Sequence, residues 1–357
     1  MTPLGEILIR RIAATGPISI AEYMAECLMH PVHGYYTTRD PLGREGDFTT
    51  APEISQMFGE LIGLAMAQAW VDQGRPSSFV LTELGPGRGT LMADLLRAAA
   101  LVPGFRDAAS LHLVEGSPVL RTAQAQALAG SSPNWHMTVE TLPDGPLFLV
   151  ANEFFDALPI RQFQRDPSGW RERQIAVSDG KLMLGLAMAA SYDTLSHRLA
   201  DTGPGEIVET CTPGASVAAV IAGRIARWGG AALIIDYGGW HSRGDTFQAI
   251  SAHGFVDPLA EPGSADLTAH VDFEALAGAV RSVPGTASSA MTAQGVFLEG
   301  LGITARAEAI ARRLSGPALD SHVAAHRRLT HPEEMGSLFQ CLSVTPASAP
   351  PFPGLGP

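Results

Sequence analysis

Apolar positions change period several times along the chain, and each change marks an element. Over residues 4–29 they recur at helical spacing, interrupted around Gly16-Pro17, which predicts an amphipathic helix broken there. A polar and aromatic stretch, His30-Pro31-Val32-His33-Gly34-Tyr35-Tyr36, follows. Thr50-Ala51-Pro52-Glu53 then fits a capping box with proline in the first turn, ahead of Ile54, Met57, Phe58, Leu61, Ile62 and Ala65 at helical spacing. Residues 79–84 read as a short apolar strand carrying Thr82 and Glu83, residues 85–90 as a glycine-rich turn, and residues 91–100 as a helix. A strand at 111–114 ending at Glu115, a helix at 118–129, a short strand at 135–139 and a strand at 146–151 continue the rhythm. The last run does not alternate, as expected of a parallel strand buried on both faces.

Between 160 and 208 the rhythm changes. Residues 161–164, 170–177 and 182–186 are short strand candidates joined by Asp-Pro-Ser-Gly and Ser-Asp-Gly turns, an antiparallel insertion. A helix at 216–227 and a strand at 231–235, ending in Asp236-Tyr237-Gly238, restore the α/β pattern. A polar, glycine-rich loop spans 239–270, followed by a helix from about 272, a strand near 290, helices at 304–312 and 317–328, and a strand at 339–344. The expected organisation is a helical lid region at 1–76, a core at 77–159 and 209–347, the insertion at 160–208, a substrate loop at 239–270 and a tail at 348–357. Strands alternating with helices of this length imply an α/β fold around a parallel sheet.

Composition narrows the function classes. Thirty-six acidic against 24 basic residues leave a net charge of -12, which opposes non-specific nucleic-acid binding. Three isolated cysteines, Cys27, Cys211 and Cys341, offer neither a CxxC pair nor zinc spacing and point to a reducing compartment. Glu6, Arg10 and Arg11 break the N-terminal apolar run, and no apolar stretch approaches the roughly 20 residues that span a bilayer. A cytoplasmic protein with no stable membrane insertion and no metal site is expected; a homodimer is left open.

The glycine turn carries the first chemical signal. A strand feeding Gly85, Gly87 and Gly89 and then a helix suits a nucleotide-containing cofactor, because the backbone turns tightly and brings free N–H groups near the ligand. The sixth position counted from Gly85 is Thr90, which departs from the dinucleotide fingerprint, and no Gly-Lys-Ser/Thr follows for a phosphate loop. Glu83 just before the turn suits a cationic ligand group. Glu115, 26 residues after Gly89, stands where such folds place the acid that accepts ribose hydroxyls. Two carboxylates without a phosphate site fit S-adenosylmethionine, a sulfonium nucleoside with a free amino group.

These residues belong to a recognisable pattern. His30-Pro31-x-x-Gly34-Tyr35-Tyr36, Gly46-Asp47-Phe48-Thr49-Thr50-x-Pro52-Glu53-Ile54-Ser55-Gln56, Glu83-Leu84-Gly85-Pro86-Gly87-x-Gly89-Thr90, Asn152-Glu153-Phe154-Phe155-Asp156-Ala157-Leu158-Pro159, Asp236-Tyr237-Gly238 and Ala265-Asp266-Leu267-Thr268-x-His270 occur in order. The chain resembles the MidA family of class I S-adenosylmethionine-dependent methyltransferases over almost its whole length. The mitochondrial members of that family are protein arginine methyltransferases needed for assembly of respiratory complex I. The resemblance implies a Rossmann-like seven-stranded sheet of order 3-2-1-4-5-7-6 with the last strand antiparallel. It also implies that the glycine turn holds the methionine part of the cofactor and Glu115 the ribose. A protein substrate follows, a complex I subunit among the candidates, although a bacterial-type member need not share the mitochondrial target.

Arginine is essentially always protonated, so its methylation needs carboxylates that fork the guanidinium and accept a proton. Glu153, Asp156 and Asp236 stand at strand ends where chemistry gathers and are the expected substrate clamp, Glu153 first. The alternatives are helix capping for Asp156 and backbone hydrogen bonding for Asp236. Asn152 contacts the cofactor or satisfies its strand end, and Trp135 and His136 are adenine-contact candidates. His270 is a proton acceptor or a structural hydrogen-bond partner. Tyr35, Tyr36 and Phe48, with Thr50 and Glu53, form a lid or substrate surface, or else pack a core. The competing functions are a small-molecule or other-residue methyltransferase and a non-catalytic assembly factor.

Overall fold

Five runs of β-branched, leucine and phenylalanine residues become the strands of one mixed sheet in the computed structural model, which describes residues 1–38 and 49–356. They are β1 (Phe79–Leu84), β2 (Ala109–Val114), β4 (Leu147–Asn152), β5 (Gly230–Gly239) and β7 (Phe339–Pro346), with short β3 (Asn134–His136) and β6 (Thr286–Ser288) at the edges. Their spatial order is 3-2-1-4-5-7-6. β1 through β5 are mutually parallel and β7 runs antiparallel to β5, with Asp236 opposite Gln340. This is the expected Rossmann-like methyltransferase sheet.

Alternation within each strand explains the absence of a polar face. Phe79, Leu81, Leu111, Leu113, Phe148, Val150, Leu233, Ile235 and Cys341 point into one core. Their neighbours Val80, Leu147, Leu149, Ala232 and Ile234 are buried as well. Helices Gln56–Asp72 and Thr90–Ala99 pack into that core. Their backbones approach so closely at Gly63 that a Cβ there would lie 2.6 Å from the Leu95 carbonyl oxygen, a spacing only glycine allows.

The chain divides into two units. The first comprises Met1–Phe48, Asp156–Gly214 and Gly239–Asp272; the second comprises Thr49–Phe155, Ala215–Gly238 and Phe273–Pro357, and holds the large sheet. Helix Gln56–Asp72, placed with the N-terminal region by sequence, belongs to the second unit. In the first unit, Gly169–Ser178 pairs with Arg161–Asp166, Lys181–Leu186 and the two-residue strand Ile18–Ser19, while Ile207–Thr210 pairs with Arg161–Asp166. The glycine-rich loop contains a small sheet of Gln248–Ser251, Gly254–Val256 and Asp266–Thr268, whose strands are too short to produce a periodic signal.

The N-terminal break falls where the sequence placed it, and one local expectation changes. The N-terminal helix is two helices, Pro3–Thr15 and Ile20–Met29, separated at Gly16, whose φ is +90°. A capping box closes the second one, with Ser19 accepting from the Glu22 N–H and Glu22 from the Ser19 N–H. At Thr50 no such box forms: the helix Ala51–Ile54 lacks a side-chain cap, and Ser55 caps the next helix by accepting from the Met57 N–H. Glu53 is diverted elsewhere, as described below.

Candidate active site

The turn after β1 uses its glycines as left-handed hinges, with φ of +58° at Gly85, +53° at Gly87 and +85° at Gly89. Gly85 donates its N–H to the Val114 carbonyl at 3.0 Å, which ties the turn to the end of β2. A Cβ on Gly85 would lie 3.0 Å from Phe154 Cδ2, so conformation and space both select glycine. The helix Thr90–Ala99 starts from Gly89 with no side-chain cap.

Glu83, 3% exposed and next to last in β1, receives a hydrogen bond from the Met92 backbone N–H of that helix. Burial pushes its pKa up to about 8, against the lowering effect of the Met92 N–H and with a further push from Glu115. Its Oε2 has no hydrogen-bond partner among the described residues. Glu115, at the end of β2, is also raised by burial; hydrogen bonds from Ser117 and Gln124 work the other way. Oε1 accepts from the Ser117 N–H at 2.7 Å and Oε2 from Gln124 Nε2 at 3.0 Å.

The helix Pro118–Ala127 supplies two groups that the sequence reading did not single out. Arg121 donates through Nε to the Glu115 carbonyl at 2.9 Å and through Nη2 to the His136 carbonyl at 3.3 Å, clamping the ends of β2 and β3. Gln124 donates from Nε2 to the Gly87 carbonyl at 2.7 Å as well as to Glu115, and its Oε1 accepts from Trp135 Nε1 at 2.8 Å. A glutamine in an alanine-rich helix reads as solvent-facing, so only its spacing from Arg121 hinted at an inward face. The His136 ring is engaged elsewhere: Nδ1 lies 3.0 Å from Thr141 Oγ1 and Nε2 lies 2.9 Å from His112 Nδ1. Both histidine pKa values are lowered, chiefly by burial, that of His112 to about 4.

At the end of β4, Glu153 adopts φ +52°, an uncommon conformation for a residue with a side chain. Its Oε1 accepts from Asn152 Nδ2 at 2.9 Å and from the Ala51 N–H at 3.3 Å. Asn152 Oδ1 is buried with no hydrogen-bond partner among the described residues. Asp236, fully buried at the end of β5, accepts the Phe154 and Phe155 N–H groups on Oδ2 at 3.2 and 2.9 Å and the Tyr237 N–H on Oδ1 at 2.9 Å. Both carboxylate oxygens thus accept from backbone amides. Glu53 Oε1 accepts from Thr90 Oγ1 at 2.5 Å, joining the segment after Thr50 to the glycine turn.

Asp156, His270, Tyr35 and Tyr36 belong to the first unit. Tyr35 is fully buried and packs edge-on against Tyr36 at 5.2 Å between ring centroids, consistent with the core alternative. Tyr36 donates to Asp266 Oδ1 at 2.8 Å, and burial, together with Asp266 and Asp156, holds its hydroxyl well above the usual tyrosine range. The Asp156 carbonyl accepts from the Ala269 N–H at 3.0 Å, and the His270 N–H donates to Thr246 Oγ1 at 2.9 Å. Phe48 lies outside the described residues.

The turn after β1 therefore offers three left-handed glycines, beside the buried carboxylates of Glu83 and Glu115 and the unsatisfied buried oxygens of Glu83 and Asn152 at neighbouring strand ends. Acceptors predominate, so a ligand rich in donors and positive charge fits, whereas a phosphate would meet two acids. Among the described residues no group of three or more His, Cys, Asp and Glu is placed to hold a metal ion, and no helix is long and apolar enough to cross a membrane.

Comparison with known proteins resolves the class. The family model of S-adenosyl-L-methionine-dependent methyltransferases matches residues 61–292. The chain belongs to this family. The protein arginine methyltransferase NDUFAF7, mitochondrial, of Xenopus laevis is 39% identical over 96% of the chain and 84% of its own length. The Homo sapiens protein of that name is 36% identical over 97% and 84%. A relative from Burkholderia thailandensis, crystallised with S-adenosyl-homocysteine, superposes with a TM-score of 0.85 at 28% identity, covering 98% of this chain and 94% of that one. The methyltransferase thus takes S-adenosylmethionine as its cofactor. One expectation is overturned: the curated relatives are named mitochondrial, against the cytoplasmic location read from sparse cysteines. Unpaired thiols report a reducing environment, which does not single out one compartment.

Proposed function

We propose that this methyltransferase modifies an arginine guanidinium in a protein substrate. The left-handed turn of Glu153, which presents a carboxylate at the end of the central sheet, carries the reading. Backbone strain of this kind costs on the order of 1–3 kcal/mol and persists where the surroundings enforce it. Here Asp236 enforces it by gripping the two following N–H groups. The names of the relatives support the same acceptor.

S-adenosylmethionine supplies the activated methyl group and leaves as a neutral thioether. In this proposal the glycine turn and Glu83 hold its amino-acid end, Glu115 its ribose and Asn152 a neighbouring donor. The protein's part in the reaction is alignment and exclusion of water, since the leaving group needs no acid. Glu153 draws one guanidinium nitrogen into line and takes the proton lost as the N–C bond forms. Asp236 is a positioning residue for that turn. Residues 160–208 and 239–270 carry substrate recognition, and a respiratory complex I subunit is the substrate class implied by family resemblance.

The test is transfer of labelled methyl to protein from cells lacking the gene, with modified residues mapped by mass spectrometry. Methyl-arginine at a defined site is expected, with Glu153→Gln lowering kcat at least about 100-fold while S-adenosyl-homocysteine binding stays within about threefold of wild type. Methylation of a small molecule or of another residue type would overturn the arginine assignment. Unimpaired transfer by Glu153→Gln would remove the clamp.

A further inference from the structure

We infer that Gln124 is a positioning residue that braces the glycine turn against Glu115 and sets the cofactor affinity. The inference rests on the assignment of Glu115 to the ribose and adds a residue to that site. Gln124 is fully buried, and its amide has only one workable orientation. The indole N–H of Trp135 can only donate, so it must face Oε1; the Gly87 carbonyl and the Glu115 carboxylate can only accept, so they must face Nε2. Both amide hydrogens and the carbonyl are thereby used. One side chain links the turn after β1, the acid at the end of β2 and the indole on β3, three places a ligand lying across these strand ends must meet in register.

Geometry also separates this role from simple packing. Glu115 Oε1 is fixed by the Ser117 N–H two residues away, so its orientation about that anchor depends on the Gln124 bond to Oε2. Gly87 has φ +53°, and its carbonyl receives the other Nε2 hydrogen. Replacing the amide by a carboxylate preserves shape and the bond from Trp135, yet turns the two donated bonds into repulsions.

The experiment measures S-adenosyl-homocysteine binding by calorimetry for wild type, Gln124→Glu, Trp135→Phe and Glu115→Gln at pH 8 and pH 6. Gln124→Glu is expected to weaken binding by about tenfold or more at pH 8 relative to wild type. That ratio should shrink at pH 6, where a protonated glutamic acid regains a donor. Trp135→Phe, which removes the indole donor together with part of the ring's volume, should weaken binding by about two- to fivefold. In steady state, KM for S-adenosylmethionine should rise with kcat nearly unchanged. Binding by Gln124→Glu within about twofold of wild type at both pH values overturns the inference, as does a loss of equal size at both, which marks a packing defect. If Gln124→Glu does not fold, Trp135→Phe decides: weaker binding upholds the brace and wild-type binding overturns it. Glu115→Gln separates the two readings, because its retention of full affinity would remove the ribose assignment itself.

Discussion

At Glu83 burial and ligand charge make opposite demands. Burial pushes its pKa to about 8, so without ligand the side chain is mostly neutral at pH 7. Since this acid is raised above its unfolded value, its contribution to folding is full below about pH 4.5 and is lost as pH rises through 8. A cationic ligand beside it reverses the preference and favours the carboxylate. Binding of S-adenosylmethionine near pH 7 should therefore release close to one proton, seen as a dependence of the calorimetric enthalpy on the buffer's ionisation enthalpy. Glu83→Gln should abolish the release and weaken binding by about tenfold or more. Equal enthalpies in all buffers for wild type would place Glu83 away from the cationic end. The same carboxylate was visible in the sequence as an acid just before a glycine turn. Its neutrality was not, because that follows from burial in the folded core, which outweighs the opposing hydrogen bond from the Met92 N–H.

Among elements, the end of β5 holds the end of β4. Asp236 reaches back 81 and 82 residues in sequence to the amides of Phe155 and Phe154, which makes Glu153's left-handed turn a property of two adjacent strands. Asp236→Asn keeps the volume but replaces one acceptor oxygen by a donor facing amides that also donate. A loss on the order of 2–3 kcal/mol in stability is expected, since hydrogen bonds to charged groups are the stronger kind. Thermal unfolding should show the lowered midpoint, and kcat should fall with S-adenosyl-homocysteine affinity largely kept. A variant as stable and as active as wild type would show that the turn holds itself. Sequence placed Asp236 at the right strand end because parallel strands collect chemistry there, but left open whether it meets substrate or backbone. Backbone partners leave no mark in side-chain pattern. For the same reason the capping box was readable only as a motif: Ser19 and Glu22 close one, whereas Glu53 is drawn to Thr90 across the fold.

For the whole molecule, long-range order was more legible than fine connectivity. Strands buried on both faces announce themselves as unbroken apolar runs, and glycines punctuate them, which is why β1, β2 and β4 fall within about two residues of their expected places, while β5 runs four residues past its expected end into the Asp236-Tyr237-Gly238 segment. The strands at 248–268 are only three or four residues long, and Gln124 lies in a helix of otherwise ordinary polarity, so neither gave a signal. Net charge, by contrast, is complete in the sequence and has a kinetic consequence. A chain at -12 attracts basic, arginine-bearing partners at long range, while the transfer step itself takes place between groups already in contact. Raising ionic strength from about 50 to about 300 mM shortens the screening length from roughly 14 to 6 Å, so the encounter should weaken before the chemistry does. KM for an arginine-bearing basic substrate should rise several-fold over that range with kcat within about twofold, and the KM for S-adenosylmethionine should change far less because its contacts are buried. A substrate KM that stays flat with salt would mean that apolar contacts, rather than the acidic surface, bring the acceptor protein to this enzyme.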